Sequence, residues 1–210
     1  MTPDIKTSRN KDIKKGYVMI IGIINSKGGV GKTTTAINLA TVFSNEGYSV
    51  QVLDMDPQGS ASEWADRAAD AGTPLPFAVE STNIKRLPRV VNETEFTIID
   101  TPPGDPAIMD AAIAASDFVI VPVQSSPIEL VRVSETLPSL ASTPHGVLLT
   151  SVRFGTRQFE ETVEGLNQQG ISAFDTKIPI REGIRAAFGG VPTKFEGYDF
   201  LAKEIMEAMA

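Results

Sequence analysis

A glycine- and lysine-rich segment at 25–35, with the sequence NSKGGVGKTTT, has the composition of a phosphate-binding loop. It follows an apolar run at 17–24 that is typical of a buried strand, and it precedes apolar residues at helical spacing over 36–43. Glycines allow backbone N–H groups to approach phosphate oxygens, and a helix N-terminus adds positive potential. In such a loop the Lys32 amine reaches the β- and γ-phosphates, and the Thr33 hydroxyl binds Mg²⁺. The segment therefore predicts a site for a nucleotide with its metal ion.

Carboxylates follow two further apolar stretches. Asp54 and Asp56 lie at the end of a predicted strand over 48–54, and Asp100 ends another over 95–100. Because ligands bind at the carboxyl ends of parallel strands, we expect these carboxylates near the glycine-rich loop. Asp100 is in the Walker B arrangement, in which the aspartate holds Mg²⁺ directly or through water. Asp56 has a second interpretation, which is to cap a helix that begins near residue 60.

The loop departs from the usual pattern G-x-x-x-x-G-K-[ST], because Ser26 occupies the first glycine position and Lys27 follows it. It resembles the deviant Walker A motif, K-G-G-x-G-K-T, of the ParA/MinD superfamily of ATPases. The D-M-D-P-Q sequence at 54–58 and the D-T-P-P-G sequence at 100–104 are similar to switch I and switch II of that family. The three motifs occur in the family's order, and the resemblance covers nearly the whole chain from residue 17 onward.

The resemblance implies roles for individual residues. Lys27 would reach across an ATP-sandwiched dimer to the nucleotide of the partner subunit, and Asp56 would orient or activate the attacking water. With Lys32, these two residues form the implied catalytic set. The implied Mg²⁺ site consists of Thr33, Asp100 and, through the water shell of the ion, Asp54. The implied ATP contacts in the loop are Lys27, Gly28, Gly29, Val30, Gly31, Lys32, Thr33 and Thr34.

Toward the C-terminus the similarity is looser. The I-P-I-R sequence at 178–181 is similar to the I-P-x-R stretch that borders the adenine in ParA-like proteins, which implies that Pro179 and Arg181 bind ATP. Arg181, Arg185 and Lys194 lie within a short span of the chain. They are either ordinary solvated charges or a patch that contacts DNA phosphates.

The last predicted helix, at 198–209, carries Leu201, Ile205 and Met209 at four-residue intervals. This spacing predicts a stripe that docks on the core. The polar face of the helix is more acidic than basic, whereas a membrane-targeting helix needs a basic face. This departs from the MinD branch, so we expect no membrane partner.

Alternating strands and helices predict one α/β domain at 17–210, with a doubly wound, mostly parallel sheet of the P-loop NTPase type. Within it, the pattern predicts a helix at 82–91 and a last strand at 173–178. Residues 1–16 are polar and basic. They predict a flexible tail or, alternatively, an arm that contacts DNA or the partner protein.

The 210-residue chain has no cysteine, which excludes disulfides, thiolate zinc sites and iron–sulfur ligation and suits a reducing cytoplasm. It also argues against the nitrogenase iron protein, a relative whose cluster needs thiolates. The formal net charge of −7 disfavours a generally basic surface, so DNA binding would need a local patch. No apolar stretch approaches the length of a membrane span.

The resemblance implies an Mg²⁺-dependent ATPase that segregates DNA, closest to the small, ParF-like ParA proteins of plasmid partition. ATP would select a homodimer that binds nonspecific DNA on the nucleoid. A ParB-type, centromere-binding partner would stimulate slow intrinsic hydrolysis.

Three alternatives remain. One is a MinD-like positioning ATPase that acts on a membrane or a protein scaffold. A second is a small-molecule enzyme similar to dethiobiotin synthetases, which lack the early lysine that this chain has at Lys27. A third is a capsule-type tyrosine kinase, which would need a tyrosine-rich tail, whereas the chain has three tyrosines.

Overall fold

The computed structural model describes residues 18–209, apart from the side chains at 127, 128, 132, 135 and 185. The strands are β1 (Met19–Ile23), β2 (Val50–Asp54), β3 (Ala78–Ser81), β4 (Phe96–Asp100), β5 (Phe118–Gln124) and β6 (His145–Thr150). They form one six-stranded sheet in the order β3-β2-β4-β1-β5-β6, and every pair is parallel. The doubly wound α/β fold predicted from the sequence is confirmed. The predicted tail at 1–16 lies outside the described residues.

Helices connect the strands and cover both faces of the sheet. They are α1 (Lys32–Asn45), α2 (Ser60–Asp70), α3 (Leu87–Val90), α4 (Pro106–Ala115), α5 (Pro127–Thr136), α6 (Arg157–Gln168), α7 (Glu182–Ala186) and α8 (Tyr198–Ala208). A 3₁₀ turn at Leu137–Leu140 follows α5. None of the helices in the described part of the chain is long and apolar enough to cross a membrane.

The sheet separates two hydrophobic cores, because successive side chains of a strand point to opposite faces. Ile21 of β1 packs with α1 and α8 on one face, whereas Ile20 packs with α3 to α6 on the other. Leu201 and Ile205 of α8 are buried in the first core, and Met209 packs against it. The docking stripe predicted for α8 is therefore present.

The strand predicted at 173–178 is wrong. Among the described residues, the segment makes one isolated bridge to β6, at Ala173, and a second bridge, between Pro179 and Val152, lies just beyond it. Its backbone N–H groups at Asp175 and Thr176 donate to the carboxylate of Glu204 on α8, at 2.7 and 2.6 Å. Because a side chain of another element accepts these hydrogen bonds, the segment follows the edge of the sheet without joining it as a strand.

The helix predicted at 82–91 is confined to its second half, α3. Thr82 N donates to Asp54 O at 2.8 Å, which continues the pairing of β3 beyond its last residue. The side chain of Asn83 then accepts from the N–H groups two and three residues ahead, at 3.0 and 3.1 Å. Asparagine competes for local backbone donors in this way, so a turn forms first and the helix begins after it.

Candidate nucleotide-binding site

The glycine-rich loop connects β1 to α1 and requires glycine at two positions. Gly29 has a φ of 75°, and Gly31, which immediately precedes α1, has a φ of 92°. Residues with a Cβ rarely adopt this left-handed region because the Cβ clashes with the backbone. The chain thus turns sharply into α1, whose N-terminal N–H groups and positive potential suit an anionic phosphate.

Three side chains that the sequence interpretation missed hold the loop against neighbouring strands. Asn25 Nδ2 donates to a carbonyl of β5 at 2.8 Å. Gln124 Nε2 donates to Gly29 O at 3.0 Å, and Thr150 Oγ1 donates to Val30 O at 2.8 Å. Gln124 and Thr150 end their strands at the same edge of the sheet as the predicted carboxylates. That shared edge is the signal from which they could have been found.

The predicted metal-binding residues Thr33 and Asp100 lie together at the start of α1. Thr33 Oγ1 donates to Asp100 Oδ2 at 2.6 Å. Asp100 is fully buried, and its Oδ1 has no hydrogen-bond partner among the described residues. Burial raises the pKa of Asp100 to about 7, although the hydrogen bond from Thr33 opposes the shift. A hydroxyl and an unpartnered carboxylate oxygen are the hard oxygen donors that Mg²⁺ prefers, so this pair fits the ion.

Lys32 is buried at the first position of α1, and its Nζ donates to Lys27 O at 2.9 Å. Burial lowers the pKa of the Lys32 amine, whereas the charges of Asp100 and Asp56 raise it. A desolvated ammonium attracts an anion more strongly than an exposed one, because the surrounding dielectric constant is lower. The surroundings of Lys32 therefore suit the predicted contact with β- and γ-phosphates.

The two switch I carboxylates have different surroundings. Asp54 is fully buried: Oδ1 accepts from Asp56 N at 3.1 Å, and Oδ2 accepts from both N and Oγ of Ser62 at 2.8 Å. It thus joins the end of β2 to the first turn of α2, and its support of a metal's water shell stays a prediction. Asp56 is half-buried and accepts from Gln58 N at 2.9 Å. Gly59 occupies the N-cap of α2, so the helix-capping interpretation of Asp56 is wrong.

The switch II turn at 100–104 lies against the glycine-rich loop. Thr101 Oγ1 donates to Ile23 O, at the end of β1, at 2.7 Å. A Cβ on Gly28 would lie 3.9 Å from the ring of Pro103. The turn is therefore close to the loop that would hold the phosphates, and its placement over the γ-phosphate stays a prediction.

Lys27, the predicted signature lysine, is bonded within its own protomer. Its Nζ donates to Glu129 Oε1 on α5 at 2.7 Å. The side chain of Glu129 is 1% exposed and that of Lys27 is 31% exposed. The sequence interpretation missed Glu129, because 102 residues separate it from the lysine. The reach of Lys27 to a partner's nucleotide stays a prediction.

The segment predicted to border the adenine lies beside the end of β6. Ile178 N donates to Leu149 O at 2.9 Å, and Pro179 forms an isolated bridge with Val152. These contacts place the I-P-I-R sequence at the same edge of the sheet as the loop. ATP binding by Pro179 and Arg181 stays a prediction.

The predicted DNA patch is described in part. Arg181 is exposed, and its Nε lies 3.4 Å from Glu196 Oε2, so the positive charge of Arg181 is partly neutralised. Lys194 is exposed, whereas the side chain of Arg185 lies outside the described part of the chain. DNA contact by these three residues stays a prediction.

Comparison with known proteins gives a family match and close relatives. Residues 21–192 match the family described as the CobQ/CobB/MinD/ParA nucleotide binding domain. The maintenance of carboxysome distribution protein A of Gloeobacter kilaueensis is 40% identical over 188 residues, which cover 83% of each chain. The chromosome-partitioning ATPase Soj of Thermus thermophilus is 31% identical and covers 91% of this chain and 97% of the relative.

A solved structure shares the fold. It is a putative plasmid partition protein of Borrelia burgdorferi bound to AMPPNP, with a TM-score of 0.75 and 19% sequence identity. The similarity covers 91% of this chain and 98% of that chain. The two chains therefore share the same overall fold.

Proposed function

Since the chain belongs to the CobQ/CobB/MinD/ParA family of nucleotide-binding domains, we propose that it is a Mg²⁺-dependent ATPase of the ParA type. One observation carries the proposal: the desolvated Lys32 and the Thr33–Asp100 pair lie where the glycine-rich loop enters α1. Thr33 and Asp100 would hold the Mg²⁺ ion. A bound Mg²⁺ ion would neutralise part of the negative charge on the phosphates.

The remaining site residues position the reactants. Phosphoryl transfer depends mainly on preorganised charge rather than on covalent chemistry by the protein. In the proposed reaction the loop amides and Lys32 hold the phosphates, while Asp56 orients the attacking water and takes its proton. Lys27 of a second copy completes the positive charge around the phosphates, so two ATP molecules lie between two protomers. Hydrolysis by the protein alone is slow, and a partner protein stimulates it.

The cargo that we propose first is DNA. The ATP-bound dimer binds nonspecific DNA on the nucleoid through the patch of Arg181, Arg185 and Lys194, and a ParB-type partner binds the centromere of a plasmid or chromosome. The 31% identity with a chromosome-partitioning ATPase over nearly the full length of both chains supports this assignment. In this scheme hydrolysis releases the dimer from DNA wherever the partner is bound.

A second cargo, a protein body, is favoured by the 40% identity with a carboxysome distribution protein. The stimulating partner would then bind the protein body and not a centromere. Deleting the gene in its host separates the two cargoes: loss of plasmids or chromosomes supports DNA, whereas normal inheritance with clustered protein bodies supports the second. Co-sedimentation of the ATP-bound protein with liposomes, but not with plasmid DNA, would contradict both.

Replacing Lys27 tests the shared site. Lys27→Ala is expected to retain nucleotide binding by the monomer but to lose the ATP-dependent dimer, because no ammonium then crosses to the second nucleotide. Light scattering with ATP and Mg²⁺ measures the dimer. Lys85→Ala, which removes an exposed lysine far along the chain, is the matched control and should dimerise normally. Normal dimerisation of Lys27→Ala would rule out the ATP-sandwich arrangement.

Reversing one charge tests the DNA patch. Arg185→Glu is expected to weaken ATP-dependent DNA binding about tenfold and to reduce the slope of affinity against salt by about 1, because one phosphate contact is lost. Filter binding at several salt concentrations measures both quantities. Arg157→Glu reverses an exposed arginine on α6 and should bind DNA as the wild type does. An unchanged salt slope for Arg185→Glu places the DNA surface elsewhere.

A further inference from the structure

Glu129 is a buried, ion-paired carboxylate that has no role in the proposed reaction. Its side chain is 1% exposed, and Oε1 accepts from Lys27 Nζ at 2.7 Å. Its Oε2 is buried and has no hydrogen-bond partner in the described part of the chain. A buried carboxylate is destabilising unless a cation and hydrogen bonds compensate for its lost hydration. Here Lys27 supplies both, so each residue stabilises the other within one protomer.

Lys27 is held at three points in the structure. Its backbone N donates to Asn25 Oδ1 at 2.8 Å, and its carbonyl oxygen accepts from Lys32 Nζ at 2.9 Å. Its side chain is bonded to Glu129. A phosphate that draws the Lys32 amine toward itself would remove one of these contacts. The contact with Asn25 would still hold the backbone, and the bond to Glu129 would be the one that still holds the side chain. That bond is therefore the contact that opposes movement of the lysine away from its own protomer.

The start of α5 offers Glu129 a second partner. Ser126 is the N-cap of the helix and Glu129 is the third helical residue, which is the S-x-x-E spacing of a capping box. In such a box the glutamate accepts the N–H of the N-cap residue. In this structure its Oε1 instead accepts from Lys27. The spacing thus offers the Ser126 N–H as an alternative donor to the carboxylate once the lysine is released.

We propose that Glu129 is a positioning residue that holds Lys27 in its own protomer and thereby opposes formation of the ATP-bound dimer. The inference rests on the proposed function, because it requires Lys27 to enter the site of a second copy. Only protomers whose Lys27 has left Glu129 can pair. The larger the fraction of protomers in which Lys27 is still bonded to Glu129, the weaker the apparent affinity of the dimer. Glu129 thus sets the protein concentration at which ATP produces dimers.

The charge of Glu129 is tested with Glu129→Gln, which keeps the size of the side chain and removes the ion pair. If the released fraction rises about tenfold in each protomer, the dimer dissociation constant falls about 100-fold at saturating ATP analogue and Mg²⁺. Sedimentation velocity with a non-hydrolysable ATP analogue measures this constant. Glu161→Gln breaks an ion pair of the same length, 2.7 Å, on the exposed side of α6 and should leave the constant unchanged.

A second variant, Glu129→Ala, and the labelling rate of Lys27 test the inference further. Glu129→Ala should also dimerise more tightly than the wild type, since it too frees the lysine, and thermal unfolding without nucleotide reports any damage to the fold. In the wild-type monomer, acylating reagents should modify Lys27 more slowly than the exposed Lys85. Unchanged or weaker dimerisation of the folded variants, or equal labelling of the two lysines, overturns the inference. Failure of the wild type to dimerise at any concentration of ATP instead overturns the proposed function itself.

Discussion

Asp56→Ala is expected to slow ATP hydrolysis at least about 100-fold while leaving ATP-dependent dimerisation in place, because a positioned general base contributes that much to proton transfer. Asp56 lies close enough to Lys32 and Asp100 to raise the pKa of both groups. Its carboxylate is half-buried and accepts from Gln58 N. Loss of this single contact should affect folding little, so the variant separates hydrolysis from nucleotide binding. Phosphate release at saturating ATP and Mg²⁺ measures the effect.

Asp66→Ala is the matched control for this change, since it removes an exposed carboxylate from α2. It should hydrolyse ATP at the wild-type rate. If Asp56→Ala also retains its rate within a few-fold, Asp56 does not activate water, and another group at the edge of the sheet must do so. If Asp56→Ala fails to dimerise, its carboxylate acts in binding and not in hydrolysis alone.

Asp100→Asn is expected to abolish Mg²⁺-dependent hydrolysis and to stabilise the metal-free protein at pH 8. The pKa of Asp100 is raised to about 7 in the folded protein from an ordinary 3.8, mainly by burial. Between these values the folded protein keeps a proton that the unfolded chain releases, so wild-type stability falls as pH rises and the loss is complete above pH 7. The shift corresponds to about 4 kcal/mol at most. Asparagine carries no charge, and its oxygen can still accept from Thr33.

Urea unfolding in EDTA at pH 5 and pH 8 measures this difference. The free energies of unfolding of Asp100→Asn and the wild type should diverge most at pH 8 and approach each other toward acid pH. Asp110→Asn, on an exposed position of α4, should follow the wild-type pH dependence. Parallel curves for Asp100→Asn and the wild type would show that the buried carboxylate does not carry the expected charge penalty.

The two predictions concern residues that local pattern identifies. Asp56 and Asp100 follow apolar strands, and the glycine-rich loop lies between a strand and a helix. Each of these signals is confined to a short stretch of the chain, within which backbone preference and hydrophobic pattern are informative. Parallel strands then bring all such strand ends to one edge, so their neighbourhood follows from topology.

Where local pattern failed, acceptors outside the expected hydrogen-bond pattern competed for the backbone N–H groups. The segment at 173–178 has the composition of a strand, but Glu204 accepts two of its N–H groups. The segment at 82–91 has a helical apolar pattern, but Thr82 pairs with β2 and Asn83 forms a turn. Neither Glu204 nor the β2 carbonyl that accepts from Thr82 can be identified from the segment itself, because the choice depends on which donors and acceptors the fold brings within reach.

The sequence by itself determined the phosphate-binding loop, because the loop depends on residue type at short spacing. It also determined the parallel α/β architecture, and with it the meeting of Thr33 and Asp100, 67 residues apart, because parallel strand ends share one edge of the sheet. Only the tertiary structure decided how Lys27 is held. Its partner, Glu129, lies 102 residues away, and no periodicity connects the two. Burial of that carboxylate makes the ion pair important for stability, and burial is a property of the packed fold. The residue expected to join two protomers is thus the one that the single protomer holds in place.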